Sequence, residues 1–329
     1  MGAGMKLVYG AMVAGVAAVM GMSQAEAASL GATDLLKQFN LITTGDVTGA
    51  SGGHIHGRAL VGGNFSGVSE VFSHGDGEAS DFAALTVAGN VTSKVRVLKD
   101  GDAVVGGGLD KVEVNSGASK STFGEGSAPA GYAKILSDYT KTLALMDASA
   151  SGVKREGSAH DKTNTYNISG VENGIGVLTL TEADIRKDRD FVFKLGADVD
   201  WVVVNVLATD SDRIFDLGST FKAQQNASIV NKVLWNFVGF EGVIFDARFS
   251  AGAILADGAK VTTTSGDIEG SLFAASFEGK SQLHYIGLNE GQLPGDDIDQ
   301  PAPVPLPAAM PLMLAGLGAF AALRRCRRG

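Results

Sequence analysis

The stretch HGRALVGGN at residues 56–64 shows the pattern on which the fold prediction rests. A short aliphatic strand ends in a glycine turn, and an asparagine follows the turn. The same arrangement returns as AALTVAGN at 83–90, and its first part returns as DAVVGG at 102–107. The Gly-Asn steps at 63–64 and 89–90 are spaced like coils of a solenoid, although the period is irregular. Imperfect repeats with small side chains favour a β-helix or a β-sandwich.

Further strands are predicted later in the chain, at 177–180, 191–193, 201–206, 232–237, 242–245, 252–256 and 268–275. The run 201–206 is almost continuously apolar, which is typical of a strand covered on both sides. No long polar linker interrupts residues 29–294, so we expect one extended domain.

One amphipathic helix is predicted within this β-rich body. Its apolar stripe recurs at helical spacing and consists of Tyr132, Ile135, Leu136, Tyr139, Leu143 and Met146. Lys134, Asp138 and Lys141 occupy the other faces. Such a stripe packs against a protein core, so we expect the helix to lie along the β body rather than to hold a cofactor.

Composition narrows the class of protein. The 329 residues include 45 glycines, 7 prolines and one cysteine, which excludes collagen and indicates many tight turns. The formal net charge of −9 disfavours binding to nucleic acid, because the field repels phosphates. Cys326 has no intrachain partner, so the fold must be stable without a disulfide.

The N-terminus has the layout of a secretory signal peptide. Lys6 precedes an apolar run at 7–20, and small residues at 25–28 provide a cleavage site after Ala27. Residues 1–27 are therefore predicted to direct export through Sec-type machinery. An uncleaved N-terminal membrane anchor is the alternative.

The C-terminus predicts attachment to the cell envelope. An acidic, proline-containing linker at 295–303 leads to the motif Val304, Pro305, Leu306, Pro307 and Ala308. An apolar membrane helix at 309–323 and an arginine cluster at 324–328 follow. The helix is slightly short for a bilayer, and the arginines would stay cytoplasmic.

Residues 304–329 resemble the VPLPA variant of the PEP-CTERM sorting signals. This resemblance implies an exosortase-like transpeptidase as a partner that recognises the motif and cuts near it. A plain tail anchor that is never processed is the alternative.

The body at 28–294 resembles the choice-of-anchor A family of bacterial surface domains. The resemblance is carried by ordered blocks at 57–64, 203–206, 234–237, 252–256 and 268–272, by His284 and by 291–294. It implies a β-solenoid body with a helix alongside, adhesion as the class of function, and no catalytic residues.

Histidines and acidic residues form candidate metal sites, but each group lacks part of a complete ligand set. His54 and His56 are two residues apart and could place two imidazoles on one strand face. His74 with Asp76 would have to complete a metal site there. The segment around His54 and His56 is rich in glycine, however, and we expect it to be loop-like. The acidic groups lack a complete calcium-loop motif; they are Asp188 with Asp190, Asp210 with Asp212, and Asp296 with Asp297 and Asp299.

Catalytic motifs are also missing from the sequence. Asp216 and Glu241 would be a conceivable glycosidase pair, but nothing in the sequence defines their separation. Thr262, Thr263 and Thr264 form a run rather than the ladder that ice binding would need. We therefore predict no catalytic, cofactor or metal site.

The sequence predicts a mainly β protein that is exported and held at the cell surface. Its function would be non-catalytic adhesion to polysaccharide or matrix protein, or a structural role in the matrix. A surface carbohydrate-active enzyme and a calcium-stabilised matrix scaffold are the alternatives.

Overall fold

Parallel strands stacked in coils form most of the protein. The computed structural model describes residues 30–49, 52–115, 117–148, 152–156, 163–182, 184–185, 190–218 and 226–296. The predicted signal peptide, the sorting motif and the C-terminal membrane helix lie outside these residues. Within them, no helix has the length and apolar character needed to cross a membrane.

The helices are α1 (Ala32–Gln38), α2 (Tyr132–Ala144) and α3 (Ala227–Val230), with a 3-10 turn at Glu172–Gly174. The strands are β1 (Phe39–Thr43), β2 (Val47–Gly49), β3 (Gly53–Val61), β4 (Val68–Asp76), β5 (Leu85–Val87), β6 (Val95–Val97), β7 (Ala103–Val105), β8 (Val112–Val114), β9 (Lys120–Thr122), β10 (Val153–Glu156), β11 (Thr163–Ile168), β12 (Ile175–Thr181), β13 (Asp190–Leu195), β14 (Trp201–Leu207), β15 (Ile214–Asp216), β16 (Val233–Val238), β17 (Gly242–Phe245), β18 (Phe249–Thr263), β19 (Ile268–Gly279) and β20 (Leu283–His284).

One face of the solenoid carries the helices, and we call it the helix-covered face. Its parallel strands follow one another in space as β12, β14, β16, β18, β19, β1, β3, β5, β7 and β9. The first strand, β1, thus lies in the middle of the stack, and the coils that follow it lead outward to β9. After α2 it resumes at the opposite end with β12 and winds back until β19 pairs with β1, where Leu41 lies opposite Leu272.

Two further faces complete each coil. The open face contains β15, β17, the second halves of β18 and β19, and β2, continued by single bridges at Phe65 and Val91. The histidine face contains the first residues of β18 and β19, then β20, the first half of β3, β4, β6 and β8. Because neighbouring strands on all three faces are parallel, the fold is solenoid-like and the β-sandwich alternative is wrong.

The repeated Gly-Asn steps lie at one corner, where they stack as the sequence predicts. Asn64 Oδ1 accepts hydrogen bonds from the backbone N–H and the Nδ2 of Asn90, at 3.0 and 3.2 Å. The turns approach each other closely, since a Cβ on Gly106 would lie 1.9 Å from the Ala88 carbonyl oxygen. Glycine is therefore required for the coils to stack at this corner.

The interior changes along the solenoid. Small residues such as Ala103, Val105 and Val112 fill the coils of β5 to β9. The coils of β14 to β18 hold larger side chains, Trp235 and several phenylalanines. The sheet of β10, β11 and β13 adds its rings to this end: Phe191 lies 5.4 Å from Trp235, between ring centroids.

Helix α2 packs on the helix-covered face and confirms the predicted amphipathic helix. Leu136, Tyr139 and Leu143 are fully or almost fully buried there. Two buried asparagines also donate hydrogen bonds to carbonyls near its C-terminus. Asn205 Nδ2 donates to the Leu143 carbonyl at 2.7 Å, and Asn236 Nδ2 donates to the Thr140 carbonyl at 2.9 Å.

Helix α1 was not predicted, and its first turn is bound by a residue from the far end of the chain. The Asp296 carboxylate accepts hydrogen bonds from the backbone N–H groups of Ala32 at 3.0 Å and Thr33 at 2.8 Å. Asp296 therefore serves as a helix cap rather than as the calcium ligand that the acidic run at 296–299 offered. Asp297 and Asp299 lie outside the described residues.

We expect Asn236→Ala to lower the free energy of unfolding by about 2 kcal/mol, because it leaves a buried acceptor without a donor. That acceptor is Asn205 Oδ1, which lies 2.8 Å from Asn236 Nδ2, whereas the Thr140 carbonyl would keep its bond within α2. Asn64→Ala is the matched control, since water can replace that exposed side chain, and it should cost less than about 1 kcal/mol. Urea unfolding of both variants measures the difference; equal losses would contradict the role given to Asn236.

Candidate functional site

Three imidazole rings from distant parts of the chain stack on the histidine face. His56, on β3, is the central ring. Its centroid lies 3.7 Å from that of His74 on β4 and 4.2 Å from that of His284 on β20. We call these three residues the histidine stack.

A bulge in β4 brings His74 to the stack. Ile55 pairs with Val71 and Gly57 pairs with Asp76, so four residues of β4 lie opposite the single residue His56. The backbone at Phe72 has a φ of 56°, which is uncommon for a residue with a side chain. The Arg58 guanidinium lies 5.1 Å from the centre of the Phe72 ring and packs against it. The bulge is thus supported by a specific contact.

Polar groups flank the stack on two sides. Gln282 Oε1 lies 3.4 Å from His56 Nε2 and 3.2 Å from His284 Nε2. On the other side, Asp76 Oδ2 lies 3.8 Å from His56 Nδ1 and 4.0 Å from His74 Nδ1. The Nδ1 atoms of two imidazoles therefore face one carboxylate.

The stack favours neutral imidazoles at its centre. Burial, reinforced by the imidazoles of His284 and His74, lowers the pKa of His56. Burial is also the main cause that lowers the pKa of His284, and the Arg248 guanidinium adds to it. These rings consequently keep their lone pairs at neutral pH.

Ion pairs surround the stack on the same face. Glu269 pairs with Arg248, and Glu70 pairs with Arg96. His54 Nδ1 lies 3.7 Å from Glu70 Oε2, so its imidazole belongs to this neighbouring row and not to the stack. The charges of the histidine face are therefore largely matched locally.

The structure changes the sequence-based interpretation of these histidines. The segment around His54 and His56 was expected to be loop-like, which is wrong: it is strand β3, paired with β20 on one side and β4 on the other. His74 and Asp76 do join His56, as a complete site would require. The sequence indicates His284 only through the family resemblance, because no local spacing connects this residue with His56.

The other candidate groups do not assemble in the same way. In the part of the chain that is described, the group formed by His56, His74 and Asp76 is the one set of three ligands within 4.8 Å of one another. Asp212 Oδ1 instead accepts a hydrogen bond from the Ile214 N–H at 3.2 Å. Asp188 lies outside the described residues.

The conceivable glycosidase pair has other partners. Glu241 is exposed and forms an ion pair of 2.9 Å with Arg213. Asp216 accepts a hydrogen bond from the Gly218 N–H at 2.8 Å. These contacts are structural ones at the edges of β15 and β17.

The open face presents one outward side chain from each successive coil. The inward positions of its strands are buried, and they are Phe215, Val243, Val261, Phe277, Val47, Phe65 and Val91. The next residue along each strand points outward and is partly or fully exposed: Asp216, Ile244, Thr262, Glu278, Thr48, Ser66 and Thr92. Neighbouring strands are about 4.8 Å apart, so these side chains form a regular row, which we call the outward row.

Comparison with known proteins identifies the class of domain. The family model described as "Putative Ice-binding-like adhesive domain" matches residues 32–285, which is more than half of the chain. No curated protein sequence matches the chain significantly.

Several solved structures resemble the chain at low sequence identity. An ice-binding protein from the Antarctic ascomycete Antarctomyces psychrotrophicus matches with 12% identity and a TM-score of 0.32, over 78% of this chain and 97% of that one. An ice-binding protein domain of Shewanella frigidimarina matches with 12% identity and a TM-score of 0.31, over 78% and 96%. The competence-associated pilin ComZ of Thermus thermophilus matches with 10% identity and a TM-score of 0.38, over 78% and 71%.

We expect the protein to lose stability as the pH falls below about 6.5, the ordinary histidine pKa. The pKa values of His56 and His284 are lowered in the folded state, so below that pH the unfolded chain binds more protons. Their contribution is complete above the unfolded pKa and is lost as the pH falls towards the folded values. Urea midpoints at about pH 7.5 and about pH 5.5 measure this, because ordinary carboxyl groups titrate below that window.

The matched variants are His56→Gln and His54→Gln. His56→Gln should reduce the pH dependence, whereas His54→Gln, outside the stack, should keep it. The same pH dependence in His56→Gln and in the unmodified protein would contradict the explanation.

Proposed function

We propose, from the premise that this chain belongs to the family of ice-binding-like adhesive domains, that it works as a surface-anchored adhesion or matrix protein through its open face. The outward row carries this proposal: a regular line of side chains that end in hydroxyl or carboxylate groups, except for Ile244, with a buried residue beside each one along the strand. The helices pack on another face, where α1 and α2 share a core with Leu60, Val203 and Leu234.

The chemistry of the outward row suits weak, repeated contacts with a polar polymer. Hydroxyl groups such as those of Thr48 and Thr262 can donate and accept hydrogen bonds, and the Glu278 carboxylate, which pairs with Lys260 at 2.6 Å, has further acceptor capacity. Each such bond contributes only about 1 kcal/mol, so one copy would bind weakly. Many copies anchored on one cell would bind a polysaccharide or matrix protein strongly, because later contacts become intramolecular.

The same row favours adhesion over ice as the target. Threonine is present at Thr262, Thr48 and Thr92, but Glu278 separates the first two. Ice binding would want an uninterrupted ladder of regularly spaced threonines. A charged, uneven row is better suited to a polymer that carries its own hydrogen-bonding groups.

Family membership also indicates whether the protein is an enzyme and where it is located. The adhesive family is non-enzymatic, so the prediction that the protein is not an enzyme is confirmed, and the carbohydrate-active alternative is wrong. An adhesive domain of this kind belongs to an extracellular or cell-surface protein.

The route to the surface remains part of our proposal. Residues 1–27 would direct Sec-type export, 28–294 would form the choice-of-anchor A domain, and 295–303 would be the linker. Val304 to Ala308 would be the PEP-CTERM motif read by an exosortase-like transpeptidase. The helix that follows would hold the chain in the membrane until processing.

The double variant Thr48→Lys, Thr262→Lys should abolish binding to the target. We expect the native protein to bind at least one member of an immobilised panel of polysaccharides and matrix proteins. The two lysines would project long side chains from the outward row and break its regular contact. Thr122→Lys, at an exposed position of β9, is the matched control and should bind normally. No binding by the native protein, or equal binding by the double variant, would reject the open face as the adhesive surface.

Mass spectrometry of the protein isolated from its own cells should find a chain that begins at Ala28 and ends before the arginine cluster. The expected C-terminus follows from recognition and cleavage near Val304 to Ala308. Replacing Pro305 and Pro307 by alanine should leave the arginine-rich end in place. An intact arginine-rich end in the unmodified protein would refute the sorting proposal.

A further inference from the structure

Three ligand atoms of kinds that transition metals prefer converge at one edge of the histidine stack. They are a nitrogen of His56, a nitrogen of His74 and a carboxylate oxygen of Asp76, all within 4.8 Å of one another. Zinc bonds imidazole nitrogen and carboxylate oxygen at about 2.0–2.2 Å, so tetrahedral ligands lie about 3.3 Å apart. The two Nδ1 to Oδ2 distances are 3.8 and 4.0 Å. Completing the geometry takes a contraction of about half an ångström and a rotation of the exposed His74 ring out of the stack, because the two rings are inclined by only 19° and imidazole lone pairs lie in the ring plane.

We propose that Nδ1 of His56, Nδ1 of His74 and Oδ2 of Asp76 bind a divalent transition-metal ion of the zinc class. Imidazole with a carboxylate suits zinc, nickel and copper. Calcium is disfavoured here, since it takes six to eight oxygen ligands. The site is therefore different from the calcium-stabilised scaffold that the acidic sequence allowed.

Gln282 prepares His56 for this role. With Gln282 Oε1 at 3.4 Å, the proton of neutral His56 is held on Nε2, and the lone pair of Nδ1 faces Asp76 and His74. Metal-binding histidines commonly donate their other ring N–H to an oxygen in this way. Gln282 is thus a positioning residue for the proposed site.

The local structure allows the required movement. His56 lies on a strand paired on both sides, so its position is well defined. His74 lies on the β4 bulge with a side chain 59% exposed, and Asp76, which pairs with Gly57 at the end of the bulge, has a side chain 37% exposed. Because Phe72 of the bulge packs against the core, the movement would come from the exposed side chain of His74 rather than from the backbone.

The exposure also leaves room for a fourth ligand from solvent. Sites with three protein ligands keep an open position for water or an added group. His284 stacks on the opposite side of His56, and its Nδ1 faces Glu269 at 3.8 Å, so it supports the central ring rather than completing the metal shell.

This inference is independent of the proposed adhesive function. The metal site lies on the histidine face, whereas the outward row lies on the open face. Loss of one need not affect the other.

Isothermal titration calorimetry with Zn²⁺, on the full chain freed of metal by a chelator, tests the proposal. We expect saturable binding of one ion for each chain at this site. His74→Ala and Asp76→Asn should each weaken the affinity at least tenfold, and Gln282→Leu should weaken it about tenfold through His56. Zn²⁺ should also raise the melting temperature of the native protein more than that of His74→Ala.

His54→Ala is the matched control, because it removes a histidine from the same strand but outside the group, and its affinity should be unchanged. His74 and Asp76 are partly exposed, so their variants should fold, which thermal unfolding without metal checks. No saturable binding by the native protein would overturn the proposal. So would binding that none of the three variants weakens, since the ion would then lie elsewhere.

Discussion

Hydrogen bonds from two buried asparagines hold the C-terminal end of α2 against the second half of the solenoid, which runs from β12 to β19. Asn236 Nδ2 donates to Asn205 Oδ1 at 2.8 Å and to the Thr140 carbonyl, while Asn205 donates to the Leu143 carbonyl. Both side chains stand on adjacent strands of an otherwise apolar face and are fully buried. The asparagines give these carbonyls a second donor, beside the Ala144 N–H within the helix and the Met146 N–H at 3.2 Å, and so fix the end of α2 on this face. Helix α2 lies in the chain between β9 and β12, so these bonds attach the connection between the two halves to the second half.

The three faces of the solenoid differ in their surface chemistry. The helix-covered face completes the core, since its outward side is closed by α1 and α2. The histidine face matches its charges through pairs such as Glu269 with Arg248, and it gathers imidazoles at one point. The open face has one polar or apolar side chain on each coil and no such concentration. A solenoid therefore allows three separate surfaces to be built on one core, with chemistry that varies independently.

Local patterns in the sequence predicted much of this and missed what depends on distant partners. The Gly-Asn steps, the helix stripe from Tyr132 to Met146 and the doubly covered strand at 201–206 are features of short windows, and each was confirmed. Helix α1 was missed because its cap, Asp296, comes from the other end of the body. The histidine stack was missed for the same reason: His56 and His284 meet only because β20 is inserted between β19 and β3. The bulge that adds His74 depends on Phe72 at a positive φ, which sequence patterns do not reveal.

The winding order has a consequence for the time course of folding. Leu41 of β1 lies between Ala59 on one side and Leu272 on the other, so the first coil stays half-covered until almost the whole body is available. Forming so distant a contact is slow, because the chain loses conformational entropy before it gains the free energy of strand pairing. During synthesis the ribosome must therefore release β19 before the apolar edge of β1 can be covered. Until then that edge is open to pairing with another chain.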